Sequence, residues 1–148
     1  MWVCVHASSG LALGVLVALG CASPVLAWTL TVAGALVLHL LLDLVPHWDY
    51  TRHRRRLLWA MLDVAVSIAL VVMLTLVLDL PGRALVAAVV SALPDLDVFD
   101  AVLPGPIRRR WFPSHWHKFP HGDARPAPGV VVQVIVALAS LAAVAATA

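Results

Sequence analysis

The chain has 148 residues, of which 62% are hydrophobic and 12% are charged, and its mean hydropathy is +0.96. Soluble domains have about 25% charged residues, so this composition excludes an ordinary water-soluble protein and indicates one that lies in a membrane. We expect a single domain over residues 1–148, since a bundle of four or five helices would use almost all of the chain. The net charge of +2 does not indicate nucleic-acid binding, because the basic runs are short and flank apolar segments.

Apolar segments predict an all-α fold, an integral membrane bundle of about five helices. A bilayer core of about 30 Å needs about 20 residues per helix, and residues 7–42, which contain no Lys, Arg, Asp or Glu, are long enough for two. The break between them is predicted at Ser23 and Pro24, because serine caps helices and proline suits the first helical position. The predicted helices cover residues 8–20, 24–44, 57–80, 83–93 and 129–148, and a polar loop covers residues 95–128.

Arginine clusters predict the orientation of this bundle. Positively charged residues near the ends of membrane helices tend to remain in the cytoplasm. Arginines at 52 and 54–56 follow the second predicted helix, and Arg108, Arg109 and Arg110 follow the fourth. We therefore expect both loops and the N-terminus on the cytoplasmic side of the membrane. A signal peptide over residues 1–27 is the alternative, but its first residues lack the basic side chains that such a segment carries.

This topology brings the histidines and most of the aspartates to one membrane face. All seven histidines and seven of the eight aspartates fall on the cytoplasmic side, although arginines and segment lengths alone define the topology. Ionisable groups inside apolar helices are costly and are kept where they face a partner or a cavity. Imidazole and carboxylate groups together suit a divalent metal, with zinc preferred and manganese, iron or nickel as alternatives. The predicted metal ligands are His6, His39, Asp43, His47, Asp63, Asp95, His117 and His121.

The spacing of His39 and Asp43 supports this prediction, because residues four apart share a helix face and one ion can reach both. A bound metal lowers the pKa of water toward 7, and a nearby carboxylate can then accept the proton. We expect Asp97 or Asp49 to be that proton acceptor in a metal-dependent hydrolase. In the structural alternative, the same groups only hydrogen-bond to one another.

Two non-enzymatic functions remain open at this point. The first is a membrane protein that transports or senses a metal ion or a proton through the same His and Asp residues, and the second is a structural or assembly protein. A transporter would carry polar residues across the full depth of the bundle. Because the outer halves of the predicted helices are mostly Leu, Val and Ala, the sequence favours a site on one side.

A short motif suggests two repeated hairpins followed by a C-terminal helix. The second and fourth predicted helices both end in Pro-x-x-Asp, at Pro46–Asp49 and at Pro94–Asp97. Two hairpins related by an axis along the membrane normal would bring these ends together. Because Pro-x-x-Asp is also a common way to end a helix, a repeat and a coincidence both remain open.

Three features in chain order resemble a known family. His6 near the start, Pro94-Asp95-Leu96-Asp97 at a helix end and a later His117-x-x-x-His121 resemble the YdjM-like family of bacterial inner-membrane proteins. The chain departs from that family at Val98, where the family tends to have a histidine. The resemblance implies a membrane-bound metal-dependent hydrolase without implying a particular substrate.

The position of the expected site indicates its surroundings. Since it opens at the headgroup layer of the lipid bilayer, we expect an amphiphilic substrate such as a lipid or a phosphoester. Arg108, Arg109 and Arg110 are interpreted as contacts to lipid headgroups, with a substrate phosphate as the alternative.

Overall fold

The structure, a computed structural model, describes residues 1–101 and 110–147, with side chains for residues 1–97 and 110–147. Within these residues the fold is all-α, as predicted, with five α-helices joined by loops and short 3-10 segments. The α-helices are α1 (Val3–Gly20), α2 (Pro24–Leu44), α3 (Arg56–Val77), α4 (Gly82–Ala92) and α5 (Pro126–Ala145). The 3-10 segments cover Tyr50–Arg52, Leu93–Ala101 and Pro113–His115. Arg108 and Arg109 lie outside the described residues, as do the side chains of Val98 and Asp100.

Four helices of the described part, α1, α2, α3 and α5, are long and apolar enough to cross a membrane. Many large apolar side chains on their outer surfaces are exposed, for example Val25 at 78% and Leu76 at 76%. Soluble proteins rarely expose such extensive apolar surface, whereas lipid tails would cover it. The prediction of a membrane bundle is confirmed for these helices.

Helix α4 is the exception, because its 11 residues extend about 16 Å and fall short of a bilayer core of about 30 Å. It packs closely against α1, the central helix, which contacts each of the other four α-helices. Gly10 of α1 lies against Ala87, and Gly14 lies against Ala84, so closely that a Cβ on either glycine would collide with the backbone of α4. Later residues of α1 thus meet earlier residues of α4, and the two helices run antiparallel.

The start of α1 differs from the prediction, because the helix begins at Val3 rather than near residue 8. Both carboxylate oxygens of Asp63 accept hydrogen bonds there, from the backbone N–H of Val3 at 2.8 Å and of Cys4 at 2.9 Å. The first N–H groups of a helix need such acceptors, and α3 supplies one from 60 residues away in sequence. His6 therefore lies inside α1. The predicted bounds of α2 match the structure, whereas α3 ends at Val77 and α5 begins at Pro126.

The loop before α5 is held against the end of α2 by its backbone. Gly122 donates to the Asp43 carbonyl at 2.8 Å and accepts from the His47 N–H at 2.6 Å. A Cβ at Gly122 would collide with the Val45 carbonyl, so this approach requires glycine. The docking places His121, the preceding residue, beside the end of α2.

The two Pro-x-x-Asp segments differ in backbone conformation. Pro94 and Asp97 lie within a 3-10 segment, whereas Asp49 and the residue before the first segment, Val45, are extended. The relation between the two hairpins stays a prediction.

Candidate metal centre

Seven ionisable side chains converge where α1 starts and where α2 and α4 end. Among the residues with described side chains, they form three overlapping groups in which one donor atom per residue lies within 4.8 Å of the others. The first group is His6, His39 and Asp95, the second is His39, Asp43 and His115, and the third is Asp43, His47 and His121. We call the seven residues of these groups the His/Asp cluster.

The second group is the tightest. Oδ2 of Asp43 lies 3.1 Å from Nε2 of His39 and 3.4 Å from Nε2 of His115, and these two nitrogens are 3.4 Å apart. The donor atoms of a tetrahedral ion with bonds of about 2.1 Å are separated by about 3.4 Å. Oδ1 of Asp95 lies near the same two nitrogens, 3.9 Å from Nε2 of His39 and 3.7 Å from Nε2 of His115. The three closest atoms therefore have the spacing of metal ligands, and Asp95 is the nearest fourth donor.

Hydrogen bonds at the far side of each ring fix the tautomers of two histidines. Nδ1 of His39 lies 2.6 Å from the Ser91 carbonyl, and Nδ1 of His47 lies 2.8 Å from the Val45 carbonyl. A carbonyl oxygen only accepts, so each Nδ1 carries a proton and donates it. Each Nε2 of the neutral ring is then left with a lone pair that points into the cluster, which is the usual preparation of a metal-binding histidine.

His115 is held in the same way by a carboxylate. Its Nδ1 lies 2.5 Å from Oδ1 of Asp97, while Oδ2 of Asp97 accepts hydrogen bonds from the backbone N–H groups of Trp111 and Phe112, each at 2.9 Å. Asp97 is fully buried and is fixed on both sides. Asp97 can therefore hold the His115 ring in a fixed orientation, as the carboxylate does in the carboxylate–histidine–metal arrangement of many metal sites.

Several buried polar atoms of the cluster have no hydrogen-bond partner among the described residues. They are both ring nitrogens of His6, Nε2 of His47 and Oδ2 of Asp95. The His6 ring stacks on His39 with centroids 3.8 Å apart, and its Nε2 lies 3.2 Å from Oδ1 of Asp43 without hydrogen-bond geometry. Buried polar groups normally have partners, so these atoms are available to a ligand such as a metal ion.

Burial shifts the pKa values of cluster residues outside the membrane-spanning helices. It lowers the pKa of His47 to about 4 and also lowers the pKa of His121. Both rings are therefore neutral at pH 7, the form that binds a metal. Burial raises the pKa of Asp95 to about 6. Burial alone would lower the pKa of His115, but the nearby carboxylates of Asp43, Asp95 and Asp97 raise it overall.

Four predicted site residues lie outside the three groups, and one of them is Asp97, whose contacts are described above. Asp63 caps α1 and also accepts a hydrogen bond from the Tyr50 hydroxyl at 3.0 Å. Asp49 accepts from the backbone and the hydroxyl of Thr51, at 2.8 and 2.7 Å. His117 is exposed in the loop. The structure thus gathers six of the eight predicted ligands and adds His115, which the sequence placed in the right loop without marking it as a ligand.

A cavity of about 610 Å³ opens directly over the cluster. Asp95, His115 and His121 form part of its wall, so the potential metal ligands are reachable from it. The remaining wall combines aromatic, acidic and basic side chains, among them Trp2, Trp48, Asp49, Arg52, Trp116, His117 and Phe119. Because aromatic and charged side chains share this wall, it offers both apolar and ionic contacts to a bound small molecule.

No protein-family model, curated protein or solved structure matches this chain. The interpretation of the cluster therefore depends on its geometry, and the resemblance to the YdjM-like family stays a prediction.

Proposed function

We propose that this protein is a membrane-bound metal-dependent hydrolase whose divalent ion, with zinc preferred, is bound by His39, Asp43 and His115, with Asp95 beside them. The observation that supports it is the meeting of three donor atoms within 3.4 Å, two of them on histidine rings whose far sides are held by Ser91 and Asp97. Three protein ligands with one open position are the usual set of a catalytic zinc site.

The cavity supplies the open side of this site. A bound divalent ion would lower the pKa of a water molecule toward 7 and so provide a nucleophile for hydrolysis. Asp49 lines the cavity and is our candidate for the carboxylate that accepts a proton from that water. Asp97 is fully buried and bonded to backbone N–H groups and His115, whereas Asp49 reaches the cavity, so we assign Asp97 to positioning rather than to proton transfer.

The substrate that fits this cavity is an amphiphilic phosphoester or lipid. Trp2, Trp48 and Phe119 offer apolar contacts. The exposed Arg52 in the same wall forms an ion pair with Asp123 at 3.2 Å, and an anionic headgroup would take the place of Asp123 in this pair. With the orientation predicted from the arginines, the reaction would occur at the cytoplasmic face of a bacterial-type inner membrane.

Transport of a metal or proton is the alternative use of the same residues. Thr31, a fully buried polar residue nearer the other end of α2, bonds back to the Ala27 carbonyl of its own helix at 2.8 Å. It does not extend the His/Asp cluster across the bundle. A site that is open on one side suits hydrolysis better than passage.

Elemental analysis of the detergent-purified protein tests this proposal. We expect at least one equivalent of divalent metal in the wild type and a loss of metal in His39→Ala and His115→Ala, while the control His53→Ala, an exposed histidine outside the cluster, keeps it. Hydrolysis of phospholipids and soluble phosphoesters should require the bound metal. Equal metal content in all four proteins would refute the metal site, and metal without hydrolysis of any phosphoester or lipid would refute the enzyme.

A further inference from the structure

We propose that the His/Asp cluster has a second metal position, formed by Asp43, His47 and His121, and that the Asp43 carboxylate bridges the two ions. This inference rests on the metal site of the proposed function. It would make the centre dinuclear.

The two oxygens of Asp43 face different sets of histidines. Oδ2 is directed at His39 and His115, at 3.1 and 3.4 Å, and also accepts a hydrogen bond from the Ser114 hydroxyl at 2.6 Å. Oδ1 lies 4.0 Å from Nε2 of His121 and 2.9 Å from the Met1 amino group. The group His39, Asp43 and His115 shares only Asp43 with the group Asp43, His47 and His121. A carboxylate between two such sets is in the position of a bridge.

His47 gives an independent indication of a ligand at this second position. The residue is fully buried, and its Nδ1 is satisfied by the Val45 carbonyl at 2.8 Å. Its Nε2 has no hydrogen-bond partner among the side chains and backbone that the structure describes. The His47 and His121 rings lie 4.6 Å apart in an edge-to-face arrangement. A buried nitrogen lone pair beside a second imidazole and a carboxylate has the chemistry of a divalent cation site.

The backbone around the second position is built to hold its two histidines together. His47 donates to the Gly122 carbonyl at 2.6 Å and accepts from the Ala124 N–H at 2.8 Å. These bonds fix the loop that carries His121 to the segment that carries His47. Nε2 of His6, 3.2 Å from Oδ1 of Asp43, is a further potential metal ligand on the Oδ1 side of the Asp43 carboxylate.

A dinuclear centre would narrow the substrate class. Two ions about 3.5–4 Å apart are used by phosphatases and nucleases to hold the attacking and leaving oxygens of a displacement at phosphorus. The cavity over the cluster exposes ligands from both groups, since His115 and His121 both line it. Phosphoesters are therefore favoured over carboxyl esters.

Metal stoichiometry separates this inference from the proposed function. The probe is Mn²⁺, loaded into the metal-free, detergent-purified full chain. We expect two equivalents in the wild type, with an exchange-coupled electron paramagnetic resonance signal. His121→Ala, at a half-buried position, should bind one equivalent and show the signal of a single uncoupled ion. His47→Ala should do the same, while His53→Ala keeps both ions and the coupled signal.

Two results would overturn the dinuclear centre. One equivalent in the wild type, unchanged in His121→Ala and His47→Ala, would leave a single-metal centre and would leave the proposed function intact. No bound metal in the wild type would remove both proposals together. Size-exclusion chromatography and the melting temperature identify any variant that misfolds. If His47→Ala misfolds because the residue is buried, His121→Ala, at a partly exposed position, still tests the second metal position.

Discussion

Replacing Asp97 with asparagine tests the metal centre by changing a residue that positions a metal ligand, His115, rather than a ligand itself. Oδ2 of Asp97 accepts from the N–H groups of Trp111 and Phe112, and Oδ1 faces Nδ1 of His115. Asparagine keeps only one side-chain oxygen, and the two backbone donors require it. The new amide N–H₂ group then faces His115, where it is satisfied only if Nδ1 becomes an acceptor and the ring proton moves to Nε2.

A proton on Nε2 of His115 competes with the metal for the same lone pair. The lost interaction is one charge-assisted hydrogen bond, worth roughly 1.5–3 kcal/mol. That free energy corresponds to metal binding weakened by about 10- to 150-fold. Mutation of comparable outer partners of metal-binding histidines has effects of about the same size. The fold should persist, because the remaining oxygen still accepts from Trp111 and Phe112.

Competition with a chromophoric chelator in detergent micelles measures this change in affinity. The matched control is Asp79→Asn, an exposed aspartate in the α3–α4 turn with φ of 48°, a conformation that asparagine adopts readily. It should bind metal as the wild type does. Wild-type affinity in Asp97→Asn would refute the tautomer reasoning, and a loss beyond about 1,000-fold would indicate that Asp97 itself is a ligand.

Three further substitutions test the parts of the fold that position the cluster. Gly14→Ala should lower the melting temperature, because its Cβ would collide with α4 at a cost of roughly 1–3 kcal/mol. The control Gly20→Ala, with no atom nearby, should not lower it, and equal melting temperatures of the two variants would contradict the close packing. Asp63→Ala should lower the free energy of unfolding by roughly 0.5–2 kcal/mol, because α1 loses its cap, and should leave the metal content unchanged. Loss of metal without loss of stability would instead identify Asp63 as a metal ligand. Gly122→Ala should undock the loop from Val45 and reduce bound metal in elemental analysis, and an unchanged content would show that this docking does not hold His121.

The helices were predictable because membrane spans leave a local signal. Apolar run length and the Ser23-Pro24 cap determine the bounds of α2, which agree with the structure. The start of α1 was not predictable in this way, because its cap is Asp63 on α3. The same contact explains why Asp63 resembled a metal ligand: a carboxylate in an apolar helix needs a partner, and sequence alone does not say that the partner is a helix end.

The site was predictable only as far as helix ends determine it. His39 and Asp43 share a face of α2, and their spacing revealed the pair. His115 lies in a loop, where no helix spacing indicates its position. Its position depends on Asp97, which is itself held by the N–H groups of Trp111 and Phe112. Asp97 was predicted as a proton acceptor because it is a carboxylate expected near the metal, whereas its burial and backbone partners, which no motif encodes, suit a positioning role.

The charge of the cluster argues for a cation over a purely structural network. Asp43, Asp95 and Asp97 are each at most 4% exposed, and an uncompensated buried carboxylate costs several kcal/mol. The Met1 amino group offsets one charge at Asp43, and Arg110 lies 3.9 Å from Oδ1 of Asp97, but His39 and His47 donate through Nδ1 and face the cluster with lone pairs rather than positive charge. A divalent ion supplies two charges where those lone pairs meet. A structural network would gain from being sealed, whereas this one opens on a cavity of about 610 Å³ with Arg52 in its wall, which favours a reacting site.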